Sequence, residues 1–466
     1  MRNVSVAAIT LALALPIAPA TAAPAHPQAE AQALDLAKKA IALRSVRGPN
    51  NQTPQVATLY RDALVAGGFA AEDISITPVD DTAYLIARWR GSDPALKPLV
   101  ISGHMDVVEA KPADWKRDPF TPVVENGYLY GRGATDMKLD GTVAIASLIE
   151  LRRSGYVPKR DIIIEFSGDE ETVMKTSAII ARKLATAEMV LNIDGGGVAA
   201  ALDEKTGKPL YYTWQGAEKT YADFELTVTN PGGHSSQPRK DNAIVKLSQA
   251  LVRIGGYRFK PETNALTQAA FIAVSKFEQP ARATAMRAFV ANPSDERAYA
   301  TLAADPTLIG MLGTTCVATM VNGGHALNAL PQRVTANINC RIFPGRSPAS
   351  IMAELQDVAS DSAVTFKDVT EGSVANDASP MRPDFIAAAD KAMARVYPGV
   401  PVFPSMASGA TDNMWFRYFH VPSYGVSPMF MKRSDDFSHG LNERSPVASI
   451  GPAIGYYLSL FRDLSQ

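Results

Sequence analysis

The sequence predicts an α/β fold: a large domain on a mixed, largely parallel sheet, with a smaller α+β lid (dimerisation) domain inserted into it. Three observations carry this. Short apolar, β-rich runs alternate with amphipathic helical stretches through the first two hundred residues, the pattern of a parallel sheet with crossover helices. After about Trp214 the pattern becomes half-exposed strands and irregular helices, and from about Met381 the first pattern resumes. The expected division is 1–23 as a leader, 27–213 with 373–466 as the large domain, and 214–372 as the insert.

In chain order, Arg2, the apolar run Val4–Ala18 and Ala20-Thr21-Ala22-Ala23 form a charged region, a hydrophobic region and an A-x-A cleavage site. Residues 1–23 therefore read as a signal peptide, and the mature protein is expected in the periplasm or outside the cell. Pro16, Pro19 and Pro24 argue against a buried helix there. No later stretch reaches about 18 uninterrupted apolar residues, so no membrane span is expected. Helical spacing marks 28–44 and 54–66; strand-like runs follow at 82–90 and 97–102. Lys138–Arg153 reads as a helix, Asp161–Phe166 as a strand, Met174–Leu184 as a helix and Met189–Ile193 as a short strand. In the insert, Ala222–Thr229 alternates like a half-exposed strand and Asn242–Ile254 is helical. Residues 262–310 read as irregular helices, and two strands precede a helix at 348–359. A helix to Val396, a strand near 420–426 and a helix Ile450–Leu464 close the chain.

Composition narrows the function classes. The 466 residues are 46% hydrophobic and 20% charged, and 46 lysines and arginines nearly balance 47 aspartates and glutamates. Nothing in that balance favours nucleic acid or an anionic membrane as a partner. The two cysteines, Cys316 and Cys340, lie on two β-like runs able to pair antiparallel. A cross-strand disulfide and two reduced, buried thiols both fit, because the register cannot be read from the sequence.

The chemistry collects at strand ends, where open α/β sheets bind ligands. The apolar run 99–103 delivers His104, with Asp106 two residues on; Asp136 follows a glycine-punctuated turn. Glu170 and Glu171 end another strand, and Asp194 a third. A single acidic residue after a strand is more often a helix cap or a solvated loop. One histidine with several such carboxylates suits a metal site. In an extended segment Glu170 and Glu171 point opposite ways, so one can hold an ion while the other takes a proton from water.

His-Met-Asp (104–106), Trp115 with Asp-Pro-Phe (118–120) and Gly-Arg-Gly-Ala-Thr-Asp-Met-Lys (131–138) occur in that order. Asp-Glu-Glu (169–171), Gly-Gly-His-Ser-Ser (232–236) and His-Gly-Leu-Asn-Glu (439–443) follow. Together they resemble the di-zinc metallopeptidase family of aminoacylases, carboxypeptidase S, bacterial glutamate carboxypeptidase and succinyl-diaminopimelate desuccinylase, over nearly the whole mature chain. The resemblance implies two Zn2+ per chain, with Co2+ or Mn2+ as substitutes. His104 and Asp194 would complete one site, Glu171 and His439 the other, and Asp136 would bridge both. Glu170 would be the general base, acting on zinc-bound hydroxide, and Asp106 would hold the other ring nitrogen of His104. The peptide bond after Asp136 would be cis. His234 would polarise the substrate carbonyl, often across a homodimer formed through the lid; alone, a histidine between glycine and serine is more often a turn residue. Asn328, Arg341 and Gly409 match substrate contacts, Arg341 suiting a carboxylate, although a surface ion pair accounts for an arginine equally well.

Three departures from the family pattern stand out. Asp194 occupies a position where many members carry glutamate, Met137 one where an acidic or small residue is common, and residues near 262–310 lengthen the lid. The expected activity is hydrolysis of an amide bond next to a free carboxylate, by an exopeptidase on short peptides. Deacylation of N-acyl amino acids is the alternative. A non-catalytic binding protein on the same scaffold is disfavoured because no base or ligand is missing, and a mononuclear enzyme is a milder variant.

Overall fold

The computed structural model describes residues 26–195 and 199–466, so the expected signal peptide and the last part of the glycine run after Asp194 lie outside it. Among the described residues, nine strands form the main sheet. Its path runs Ile74–Val79, Thr82–Trp89, Ile162–Ser167, Leu99–His104, Met189–Asn192, Ser423–Gly425, Pro209–Glu218 and Val402–Ala407, with Ala200–Leu202 beside Pro209–Glu218. The four central strands from Ile162–Ser167 to Ser423–Gly425 are parallel, and both outer regions contain antiparallel pairs. Among the described residues no helix is long and apolar enough to cross a membrane.

Ile162–Ser167, Leu99–His104 and Met189–Asn192 are buried along their whole length, as strands covered on both faces must be. Helix Lys138–Arg153 packs against Pro27–Ile41 and Ile450–Leu464 on one of those faces. Close approach sets the strand that carries His104. A Cβ on Gly103 would lie 2.8 Å from Met137 Cε, so the glycine lets the strand sit directly against that methionine.

A second sheet, all antiparallel, runs Thr315–Gly323, Arg333–Ile342, Thr220–Thr229 and Thr365–Asp368. Buried positions alternate along Thr220–Thr229. Those side chains form a separate core with helices Ala243–Gly255 and Pro348–Ala359, including Phe224, Ile338, Leu247 and Leu355. Cys316 and Cys340 are directly opposite, and the structure joins them in a disulfide.

Two features differ from the pattern read in sequence. Pro209–Glu218 belongs to the main sheet throughout, so the chain changes sheet at Lys219 rather than at residue 213. Trp214 holds it there, edge-on to Phe385 and Tyr424. Helix Ala265–Val274, from the long irregular stretch, lies against Val402–Ala407 and sends Leu266 into the main core. Its apolar side chains cover the edge of the large sheet.

Candidate metal centre

Four segments far apart in sequence meet at the C-terminal ends of the central strands. His104, the last residue of its strand, places Nε2 3.0 Å from Asp136 Oδ1. The other Asp136 oxygen lies 3.1 Å from His439 Nε2, which is also 2.9 Å from Glu171 Oε2. One ligand atom each of His104, Asp136 and Glu171 fit within 4.8 Å of one another. Asp136 is thus between two imidazoles, and Glu171 Oε1 is buried without a partner among the described residues.

The supports are as specific as the cluster. Glu443 is fully buried and pairs with Arg132 at 2.6 Å. Its carboxylate accepts hydrogen bonds from the backbone N–H groups of Gly133, Thr135 and Asp136 at 3.0, 2.6 and 2.9 Å. The turn that presents Asp136 is therefore tied to the chain that presents His439. The Asp136–Met137 peptide is cis, as the resemblance implies. His439 has φ 60°, in the left-handed region.

Asp106 has two sets of neighbours. His104 Nδ1, the ring nitrogen that the resemblance assigns to Asp106, is 3.1 Å from the Asp106 backbone oxygen and 3.5 Å from its carboxylate. That carboxylate accepts the backbone N–H groups of Glu170 and Glu171 at 3.1 and 3.0 Å. A carboxylate has acceptor sites for several donors, so Asp106 fixes the backbone of the glutamate pair beside its contact with the histidine.

The electrostatics are those of a site short of positive charge. Burial pushes Glu171 up to about 7, with Asp136 adding and the His439 hydrogen bond opposing. Burial also raises Glu170 far above its usual range; His104 opposes this and Glu171 adds to it. Burial would raise Asp136 too, but hydrogen bonds to both histidines hold it well below the usual carboxylate range. Hydrogen bonds to Asp136 and Glu171 lift His439 to about 10. Burial works against a charged His104, but its hydrogen bonds to Asp106 and Asp136 prevail and raise it.

A cavity of about 270 Å³ opens on this cluster, lined by Asp136, Glu170, Glu171, Asp194, Gly409 and His439 among others. A second, of about 640 Å³, shares Glu170, Glu171, Gly409, Ala410 and His439 and is walled on its far side by Tyr221, Asp223 and Arg341 of the second sheet. Asp194 and Gly409 thus reach the centre, and Arg341 faces it across the second cavity. His234 and Asn328 line neither cavity. His234 is exposed on a two-strand ladder where it pairs with Ala329, and Asn328 is exposed in the turn just before that strand. There the Ser235 N–H donates to the Asn328 carbonyl at 3.0 Å.

The sequence pattern assigns no role to Glu443 or Asp140. Glu443 closes the His-Gly-Leu-Asn-Glu motif, which is its only signal. Asp140 stands in the first turn of helix Lys138–Arg153, four residues after Asp136, and lines the first cavity. Its Oδ2 accepts the Ser427 hydroxyl at 2.8 Å. Burial raises its carboxyl far above the usual range, against the Ser427 bond and with Asp194 and Asp136 adding.

The model of peptidase family M20/M25/M40 matches residues 100–463, which includes every strand end described above. The chain belongs to that family. This M20 peptidase is therefore a hydrolase. It is 27% identical over 395 residues to a probable carboxypeptidase S-like protein of Dictyostelium discoideum, covering 82% of this chain and 74% of that one. It is 29% identical over 388 residues to the N-fatty-acyl-amino acid synthase/hydrolase PM20D1 of Xenopus tropicalis, covering 80% and 74%. In fold it is similar to an M20 family metallo-carboxypeptidase from Sulfolobus solfataricus, with TM-score 0.72, 17% identity and coverage of 92% and 99%. A dinuclear metal-binding M20 peptidase from Bacillus subtilis gives TM-score 0.59 at 13% identity, covering 94% and 99%.

Proposed function

We propose that this M20 peptidase is a two-zinc exopeptidase that hydrolyses the amide bond next to a free carboxylate in short peptides. The observation that carries the reading is the convergence of His104, Asp136, Glu171 and His439 on one cluster. Nitrogen and carboxylate donors with an unpartnered Glu171 oxygen fit divalent zinc. His104 with Asp194 would hold one ion and Glu171 with His439 the other, Asp136 serving both. Bound zinc lowers the pKa of water and polarises a carbonyl.

The chain's own residues do the rest. Glu170, its backbone fixed by Asp106, takes the proton from the attacking water and returns it to the leaving amine. Arg341 grips the substrate carboxylate across the second cavity, and the Gly409 backbone lies beside the scissile group.

The second sheet acts as a lid, and two chains pair along it. The edge strand Thr315–Gly323 presents Val317, Met320 and Val321 to solvent, a surface that a second copy of the chain would cover. Such a dimer gives the exposed His234 and Asn328 a site to reach, in the partner. The leader-like residues 1–23 and the disulfide fit a protein that works outside the cytoplasm.

Deacylation of N-acyl amino acids is the second reading, favoured by the likeness to PM20D1. Metal analysis beside a panel of dipeptides and N-acyl amino acids tests both. The expected result is two zinc ions per chain and hydrolysis that a chelator removes and zinc restores. Full activity with one ion, or no hydrolysis across the panel, sinks the proposal.

A further inference from the structure

The two cavities that meet at the carboxylate cluster end on different groups beyond it, a guanidinium in one and a buried carboxyl in the other. The larger ends on the Arg341 guanidinium. The smaller contains Asp140, a residue 5% exposed, whose Oδ1 has no partner among the described residues while Ser427 holds its other oxygen. A buried carboxyl oxygen left unpaired is costly. Its chain neighbour Leu139 is apolar, and the nearby cation Lys138 donates instead to the Ala40 and Leu43 carbonyls.

We propose that Asp140 receives the free α-ammonium group of the substrate, so that the preferred substrates are unblocked short peptides whose carboxylate meets Arg341. This rests on the amide-hydrolase reading above and decides between its two forms. A carboxyl oxygen accepts a hydrogen bond from an ammonium group whether or not it carries a proton on its partner oxygen. An N-acyl amino acid would instead set an apolar chain against that unpaired oxygen. Sites built to hydrogen-bond a substrate group reject analogues that lack it far more strongly than apolar pockets reject a methylene.

The test compares kcat/KM of zinc-loaded protein for an alanyl dipeptide, its N-acetyl derivative and its desamino (propionyl) analogue, in the wild type and in Asp140→Asn. The wild type is expected to prefer the free dipeptide by about 100-fold or more, and Asp140→Asn to shrink that ratio at least about tenfold. Equal or better wild-type turnover of the acetyl or propionyl compound overturns the assignment; so does an unchanged ratio in the variant. Should the variant not fold, the wild-type comparison with the propionyl analogue decides alone. Hydrolysis of none of the three overturns the amide-hydrolase reading and this assignment with it.

Discussion

Glu443 Oε1 accepts the backbone N–H of Asp136 at 2.9 Å although 307 residues separate them. The bond ties the turn that carries Asp136 to the segment that carries His439, at the residue placed between His104 and His439. Because Glu443 also neutralises the buried Arg132, removing it leaves a charge and three amides without partners. Glu443→Ala is expected to cost about 3–5 kcal/mol and to weaken zinc retention. Denaturant unfolding and metal analysis check this; a variant with wild-type stability and metal content would show that the bond does not organise the turn.

Glu170 differs from Glu171 in what its loss should do. Its carboxylate has no histidine partner like the one Glu171 finds in His439, so zinc should stay when it goes. Glu170→Ala is expected to bind two zinc ions and to lose about 10²–10⁴ in turnover. Glu171→Ala should instead lose metal. Full activity in Glu170→Ala would refute its role as base.

What the sequence displayed follows from what each residue does. Helices Lys138–Arg153 and Ile450–Leu464 were legible to the residue, the first because the turn at Asp136 precedes it and Gly155 follows its end. His104, Asp136 and Glu171 stood out as strand-end ligand types. His439 was found through its motif, since nothing local reveals a loop that returns after 300 residues. Glu443 was illegible because it binds backbone amides, which leave no mark in the side-chain pattern. Pro209–Glu218 was cut at Trp214 because its place in the main sheet depends on contacts with Phe385 and Tyr424 far along the chain.

The Cys316–Cys340 disulfide closes a loop with a sequence separation of 24 residues across neighbouring strands of the second sheet. A loop of that size restrains the unfolded chain by about 3 kcal/mol in the chain-entropy account. Cys316→Ser with Cys340→Ser is expected to lower stability by about 2–4 kcal/mol, and reductant should move the wild type toward the double variant while leaving the variant unchanged. Equal stability with and without reductant would remove the contribution.

Glu218 gives the stability a pH dependence of its own. It is buried beside Thr411, whose hydroxyl donates to it at 2.8 Å, and Arg417 Nη1, 3.3 Å away. Burial raises its pKa from 4.5 to about 7, the Arg417 charge and the Thr411 bond opposing. Between those two values the folded state holds this proton more tightly than the unfolded chain does. Its contribution is therefore fully present below about pH 4.5, falls as the pH rises, and levels off above about 7. The loss is about 3 kcal/mol at 1.36 kcal/mol per unit. Glu218→Gln mimics the protonated form and should remove that part of the slope, so the two proteins should be closest at pH 5 and the variant more stable at pH 7.5. Parallel wild-type and variant stabilities over that range would show that Glu218 is already ionised when folded.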